Sequence, residues 1–192
     1  MKLVIPIKIN AVLLKKLVCQ IVNKFAAKSE MMENKTVIRK MDLGRLSKEH
    51  HAGRLFCWKL RQGIKYHIET DRMKKFVKYF WAHFFSGHFK EEEEILFASV
   101  KDQEVQKALE DHRKIKFFVD KIKISGKGNE QKVMLDLADT LDDHILFEEI
   151  ILFPHLQKKL SDDQLEKIEM QLVQKPFVDK YKDEFWIKSK SL

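Results

Sequence analysis

The segment HFKEEEEILF, residues 88–97, decides the fold class because its polar side chains continue an apolar helical stripe. Upstream of this segment apolar residues recur every three or four positions, and His88 and Glu92 fall on the next steps of that series. The whole stripe consists of Met73, Val77, Phe80, Phe84, His88, Glu92 and Ile95. A period of about 3.6 residues predicts a helix with this face in a core, and it excludes a strand, whose period is about two.

Three further segments carry stripes with the same period. They are Leu43, Leu46, His50, Gly53, Cys57, Leu60 and Ile64; Val105, Leu109, His112, Ile115, Val119 and Ile122; and Met134, Leu137, Leu141, His144, Glu148 and Ile151. The predicted N-caps are Asp42, Thr70, Asp102 and Asn129, and Ser161 with Gln164 matches the capping box of a shorter fifth helix. Four helices of about 20–28 residues with short loops predict an all-α, antiparallel up-down four-helix bundle.

The composition agrees with a helical fold, because the 192 residues include only six glycines and three prolines. Chains made of strands need more of these turn-forming residues. We predict three parts along the chain. They are a basic leader, unstructured or an amphipathic helix, over residues 1–40; the bundle over residues 41–160; and a short helix with a C-terminal tail over residues 161–192.

The net charge of +8 is concentrated in the leader. Residues 1–40 carry nine basic and two acidic side chains, whereas residues 41–192 carry 28 basic and 27 acidic ones. A neutral bundle offers no basic groove, so we expect no nucleic-acid partner. For the leader three alternatives stay open: a helix on an anionic membrane surface, a docked extra helix, or a translation start at Met31 or Met32 that leaves the leader out.

Cysteine usage and hydropathy bear on the cellular compartment. Cys19 and Cys57 lie far apart and without metal-ligand spacing, which suits the reducing cytosol. No run of about 18 apolar residues occurs, and Lys15 and Lys16 interrupt the apolar stretch that a secretory signal would need. We therefore predict a cytoplasmic protein.

Each of the four stripes carries a histidine where an apolar residue is expected, and two carry a glutamate four residues later. Four residues turn about 40° and rise about 6 Å, so each His-x-x-x-Glu pair faces one point. Counted from the shared end of an antiparallel bundle, all six residues lie between about 9 and 20 Å deep. A buried layer of carboxylates and imidazoles is costly unless a cation compensates it, so we predict a metal site. The six candidate ligands are His50, His88, Glu92, His112, His144 and Glu148.

Four imidazoles and two carboxylates exceed the needs of one tetrahedral zinc ion. They suit two first-row metals that share bridging carboxylates, and iron is the usual metal for mixed nitrogen and oxygen ligands with redox work. We therefore predict two non-haem iron ions as the cofactor. Ferritin-like di-iron bundles are excluded, because they use Glu-x-x-His and no histidine here follows a glutamate by three residues.

The other polar and aromatic residues near the stripes fit structural roles. We interpret His51, His67, His83 and His155 as surface or supporting residues, because they lie off the stripes or near helix ends. In the run of residues 91–94 only Glu92 is expected to point inward, and Glu149 is the nearest competitor of Glu148. We interpret the aromatic residues as core around the site; they are Phe80, Trp81, Phe84, Phe85 and Phe89.

Over residues 42–160 the chain resembles the hemerythrin-like, or HHE cation-binding, domain family. The resemblance rests on LSKEHHAGRL, HFKEEEEILF, EDHRKI and HILFEEIILFPHL. It implies an up-down bundle with iron ligands at the six positions above, and Glu92 and Glu148 as bridging carboxylates. Two departures are clear. Invertebrate oxygen-carrying hemerythrins have a histidine where this chain has Lys116, and they end with His-x-x-x-x-Asp rather than His-x-x-x-Glu. Fewer histidines leave more open coordination, which argues against simple reversible oxygen carriage.

The leading hypothesis is a non-haem di-iron protein that binds or senses a small ligand (oxygen, nitric oxide or peroxide) or iron itself. The alternative is a redox enzyme whose di-iron centre acts on peroxide or nitric oxide. A third hypothesis is a metal-free interaction bundle in which the histidines form a hydrogen-bonded polar layer. Metal analysis separates the third hypothesis from the other two, and turnover assays separate those two from each other.

Overall fold

The computed structural model describes residues 44–124, 128–172 and 177–187. Within these ranges the regular structure is entirely helical, which confirms the all-α prediction. Helix α1 is Gly44–Lys65, α2 covers residues 70–96, α3 is Gln103–Ile124, α4 covers residues 130–159, and α5 is Asp162–Gln171. The predicted leader, Asp42 and Leu43 lie outside the described residues.

Helices α2 and α4 each contain π-helical turns. In α2 the α-helical stretches Thr70–Phe80 and Ser86–Glu91 are separated by the π turn Trp81–Phe85, and a second π turn, Glu92–Leu96, ends the helix. In α4 the π turn Glu148–Leu152 lies between Glu130–Phe147 and Phe153–Lys159. In a π turn the backbone N–H bonds to the carbonyl five residues earlier instead of four. The N–H of Phe97, for example, donates to the carbonyl of Glu92 at 2.8 Å.

The four long helices are arranged as an antiparallel bundle. Arg54 of α1 donates to Glu149 of α4 at 2.9 Å, and Arg61, two turns later in α1, donates to Asp142, two turns earlier in α4. Helices α1 and α4 therefore run in opposite directions. Helix α1 also contacts α2, and α3 contacts both α2 and α4, so the helices close a ring in chain order.

Most of the predicted stripe residues are buried, but the π turns displace two of them. The periodicity predicts Ile95 and Ile151 in the core; instead Ile95 is half-buried and Ile151 is 50% exposed. Leu96 and Leu152, one residue later, are fully buried. The reason is that a π turn holds more residues than an α turn, so the next inward position after Glu92 or Glu148 comes one residue later.

The predicted helix caps agree with the structure in part. Asp102 accepts the Val105 N–H at 3.2 Å, and Ser161 forms the predicted capping box with Gln164. Thr70 is the first helical residue rather than the cap, because the chain enters α2 one residue earlier. Asn129 is the cap residue of α4 but makes no side-chain cap bond; the Glu130 carboxylate accepts the Gly128 N–H instead, at 2.9 Å.

A layer of polar residues divides the interior into two apolar clusters. The larger cluster lies toward the α1–α2 turn and includes Phe56, Phe80 and Ile115. The smaller one lies toward the other end and includes Leu46 and Leu152. On every long helix the chain passes from one cluster to the other through the predicted histidine layer, so apolar packing holds that layer from both sides.

Residues 177–187, here called the C-terminal strap, pack on the larger cluster without regular structure. Phe185 is 2% exposed and Trp186 is 9% exposed. The ring of Phe177 stacks on Phe84 with 4.6 Å between centroids. None of the described helices is long and apolar enough to cross a membrane.

Candidate metal centre

All six predicted ligand residues meet in the layer between the two apolar clusters, and each is at most 7% exposed. The helices α1 and α3 supply one histidine each, and α2 and α4 supply one histidine and one glutamate each. Their potential ligand atoms form two groups, in each of which all atoms lie within 4.8 Å of one another. One group is His50, His88 and Glu92; the other is Glu92, His112, His144 and Glu148.

Glu92 belongs to both groups and directs one oxygen toward each. Its Oε1 lies 3.2 Å from Nε2 of His88, and its Oε2 lies 3.4 Å from Nε2 of His112. A carboxylate in this position can place one oxygen on each of two cations. The geometry of Glu92 therefore fits a bridging role.

Glu148 also spans the two groups. Its Oε2 lies 3.1 Å from Nε2 of His50 and 3.4 Å from Nε2 of His144. Its Oε1 lies 4.0 Å from Nε2 of His112. Two pairs of imidazoles, His50 with His88 and His112 with His144, thus face one another across two carboxylates.

The inner atoms of this layer lack hydrogen-bond partners of good geometry within the described part of the chain. Both oxygens of Glu92, both oxygens of Glu148 and Nε2 of His50 are buried without one. Nε2 of His112 and Nε2 of His144 lie only 3.1 Å apart. Leaving so many buried polar atoms unsatisfied is costly, and cations among them would satisfy all of these atoms together. The donor set therefore fits metal ions.

The protein's own charges partly compensate one another in this layer. Burial disfavours the charged form of His88, but the charge of Glu92 and the contact with Glu49 outweigh it and raise the pKa of His88 to about 9. Burial also opposes charge on His112, yet Glu92 and Glu93 raise its pKa to about 9. A metal ion competes with these protons for the same nitrogens, so metal binding releases protons and weakens as the pH falls.

The π turns place the two glutamates. Both Glu92 and Glu148 are the first residue of a π turn, and Phe97 and Phe153 close these turns by donating their N–H groups to the glutamate carbonyls. The same turn therefore presents the carboxylate to the centre and directs the following Leu-Phe into the apolar cluster below it. π turns occur often at functional sites.

Aromatic rings cover the imidazoles. Phe89 stacks on His112 with 4.1 Å between centroids, and Phe153 stacks on His50 at 5.5 Å. Phe84 stacks on His88 at 5.5 Å. The rings limit the contact of the ligand nitrogens with water and strengthen electrostatic interactions in the layer.

The other polar candidates lie outside this layer. His51, His67 and His83 are exposed, as predicted, and His155 is half-buried and bonds to Asp102 at 2.7 Å. Glu93 is 43% exposed, in line with the expectation that only Glu92 of this run points inward, but its carboxylate also reaches Nδ1 of His112 at 2.8 Å. Glu49, which is not among the predicted residues, reaches Nδ1 of His88 at 2.9 Å. The signal for Glu49 in the sequence is its position next to the candidate ligand His50.

A family of known proteins matches the part of the chain that holds this site. The sequence model of the family described as Hemerythrin HHE cation binding domain matches residues 43–156, more than half of the chain and all six candidate ligands. No curated protein and no solved structure matches the chain. The family match covers the bundle described above and, together with the buried His and Glu cluster, indicates a cation-binding domain. The chain therefore belongs to the hemerythrin HHE cation-binding family.

Proposed function

We propose that this protein is a non-haem di-iron protein that binds or senses a small ligand, either a diatomic molecule such as oxygen or nitric oxide, or peroxide, or iron itself. The observation that carries the proposal is the pair of ligand groups joined through Glu92, with Glu148 facing both. Two imidazole pairs across two shared carboxylates match two cations better than one.

The choice of iron follows from the donor atoms. Four imidazole nitrogens and two carboxylates are borderline and hard donors, and among the described residues no thiolate that would favour zinc or copper(I) joins the layer. Cys57 is buried, burial raises the pKa of its thiol, and it belongs to neither ligand group. A buried free thiol also supports the proposed cytoplasmic location.

The choice of a small ligand follows from the limited protein coordination. Two imidazoles and two carboxylate oxygens for each ion leave coordination positions open, as in other non-haem iron sites that react with small molecules. The phenyl rings stacked on His50, His88 and His112 cover the imidazoles, which favours small ligands over large substrates. Iron bound here would supply redox chemistry and an open coordination position for such a ligand.

Elemental analysis of untagged protein from iron-replete cells tests the proposal. We expect about two iron atoms per chain, near-ultraviolet absorption of the oxidised form, and a change of this absorption on reduction or on addition of nitric oxide. One tightly bound zinc ion per chain, or no metal after gentle purification, would refute the di-iron proposal. Catalytic turnover of peroxide or nitric oxide by the iron-loaded chain would instead favour the redox-enzyme alternative.

A further inference from the structure

The four candidate ligand histidines share one arrangement: each turns Nε2 to the centre and Nδ1 to an acidic residue outside it. His88 faces Glu49 at 2.9 Å, and His112 faces Glu93 at 2.8 Å. His50 faces Glu149 at 3.3 Å. His144 faces Asp111 at 3.8 Å, which is longer than a hydrogen bond.

These outer acidic residues follow the helices around the bundle in one direction. Glu49 of α1 reaches the histidine of α2, and Glu93 of α2 reaches the histidine of α3. Asp111 of α3 faces the histidine of α4, and Glu149 of α4 reaches the histidine of α1, which closes the cycle. Each outer residue is also the immediate sequence neighbour of a candidate ligand on its own helix. Every helix thus carries a ligand and, beside it, the carboxylate for the next helix's histidine.

We propose that Glu49, Glu93, Asp111 and Glu149 form a carboxylate ring that stabilises the higher oxidation state of the bound metal, and that Glu49, Glu93 and Glu149 also position the three imidazoles to which they bond. The proposal rests on the proposed function, because it assumes cations at the centre. An acceptor at Nδ1–H fixes the imidazole with its Nε2 lone pair toward the metal and increases the basicity of that nitrogen. Four additional negative charges around the centre favour the more highly charged ion.

The four carboxylates of the ring differ in how strongly their charge acts on the centre. Glu49 is only 6% exposed, so its charge acts through a medium of low dielectric. Glu93 is 43% exposed but makes the shortest contact of the four. Glu149 shares its carboxylate with Arg54 at 2.9 Å, and Asp111 shares its carboxylate with Lys107 at 2.5 Å. We therefore expect the largest effects at Glu49 and Glu93 and the smallest at Asp111.

The pair Glu93 and Glu94 provides a matched test. Glu93→Gln and Glu94→Gln change the charge equally, at adjacent positions of one helix, but Glu94 is 64% exposed and lies 3.9 Å from Lys90 rather than near a histidine. In the iron-loaded chain we expect Glu93→Gln to keep both metals, to raise the midpoint potential, and to weaken Fe(II) binding about tenfold in competition with a chelator. Glu94→Gln should match the wild type in all three measurements.

The remaining outcomes separate the ring from the proposed function. Potentials and Fe(II) affinities of Glu93→Gln and Glu49→Gln that equal those of Glu94→Gln would overturn the ring alone. A wild-type chain that binds no metal would overturn both proposals. If Glu93→Gln fails to fold, Glu149→Gln on α4 takes its place, with the same expected direction. Because the potential is measured in fully loaded protein, a loss of fold stability by itself would not change it.

Discussion

Glu148 and Glu149 are adjacent, but they reach different sides of the same imidazole. Glu148 is fully buried and faces the inner Nε2 of His50, whereas Glu149 is one-third exposed and contacts the outer Nδ1. One residue is a rotation of about 100° on a helix, which is enough to move a carboxylate from the centre to its rim. The inner carboxylate can bind metal, and the outer one can only act through the histidine.

This difference predicts the effect of removing an inner carboxylate. We expect Glu148→Ala to lose most of the iron, because one side chain faces both ligand groups and offsets the charge of both ions. His155→Ala is the control, since His155 bonds to Asp102 outside the centre and should retain nearly all of the iron. Iron per chain is measured after gel filtration, together with the far-ultraviolet circular dichroism. Equal iron retention in the two variants would place the metal elsewhere.

The carboxylate of Glu130 makes the stability of the fold depend on pH. Hydrogen bonds from the Gly128 N–H and its own N–H, with the contact to Lys74, lower the pKa of Glu130 from 4.5 to about 2. Because this pKa is lower in the folded state than in the unfolded state, the ionised Glu130 stabilises the fold fully above the pKa of the unfolded state. This stabilisation is lost as the pH falls through the pKa of the folded state. We therefore expect Glu130→Gln to lower the melting temperature at neutral pH, and the difference from the wild type to close near pH 2.

The measurement uses chelator-treated protein, so that loss of metal in acid does not contribute to the difference. Glu110→Gln, at an exposed position of α3, is the control and should follow the wild type throughout. A difference between Glu130→Gln and the wild type that stays constant from neutral pH to acid would contradict the assignment.

At the scale of elements, helix phase was predictable and helix irregularity was not. Steps of three and four residues place His88 and Glu92 on one stripe, and both are buried. The same counting failed just after Glu92 and after Glu148, where a π turn moves the core position from isoleucine to leucine. Local periodicity cannot show a π turn, because its extra residue is stabilised by packing against other helices. The repeat of Glu followed four residues later by Leu-Phe was the only trace in the sequence.

The turn between α1 and α2 allows a prediction about the end of a helix. His67 has a φ of 53°, and the backbone bonds from His67 to Ile64 and from Ile68 to Gly63 form a Schellman motif. A side chain is unfavourable in this left-handed conformation, so His67→Gly should stabilise the fold by about 0.5–1 kcal/mol. Chemical denaturation measures the change. Gly128→Ala, at a φ of 140°, should have the opposite sign, and a destabilised His67→Gly would refute the argument.

At the scale of the whole molecule, the bundle could be predicted and the C-terminal strap could not. Four stripes with a shared depth were sufficient to place six ligands in one layer. The strap has neither helical nor alternating periodicity, so nothing local indicated that Phe185 and Trp186 would be buried. Its position depends on partners far away in sequence, such as Lys59, which lies 2.7 Å from Asp179 and 3.9 Å from the centre of the Trp186 ring.

The strap therefore should contribute to the stability of the bundle rather than to metal binding. The ring centroids of Phe185 and Phe76 lie 5.2 Å apart. A side-chain carbon added at Gly63 would come within 2.7 Å of the Phe185 ring, so the surroundings of Phe185 are closely packed. We expect Phe185→Ala to lower the free energy of unfolding by about 3–5 kcal/mol, the usual cost of such a cavity. Val178→Ala, at a position 64% exposed, should cost far less.

Urea denaturation of the chelator-treated variants gives these free energies of unfolding, and iron per chain is measured separately at a temperature where both variants are folded. Because no candidate ligand lies in the strap, both variants should bind as much iron as the wild type; iron loss confined to Phe185→Ala would show that the strap also supports the metal layer.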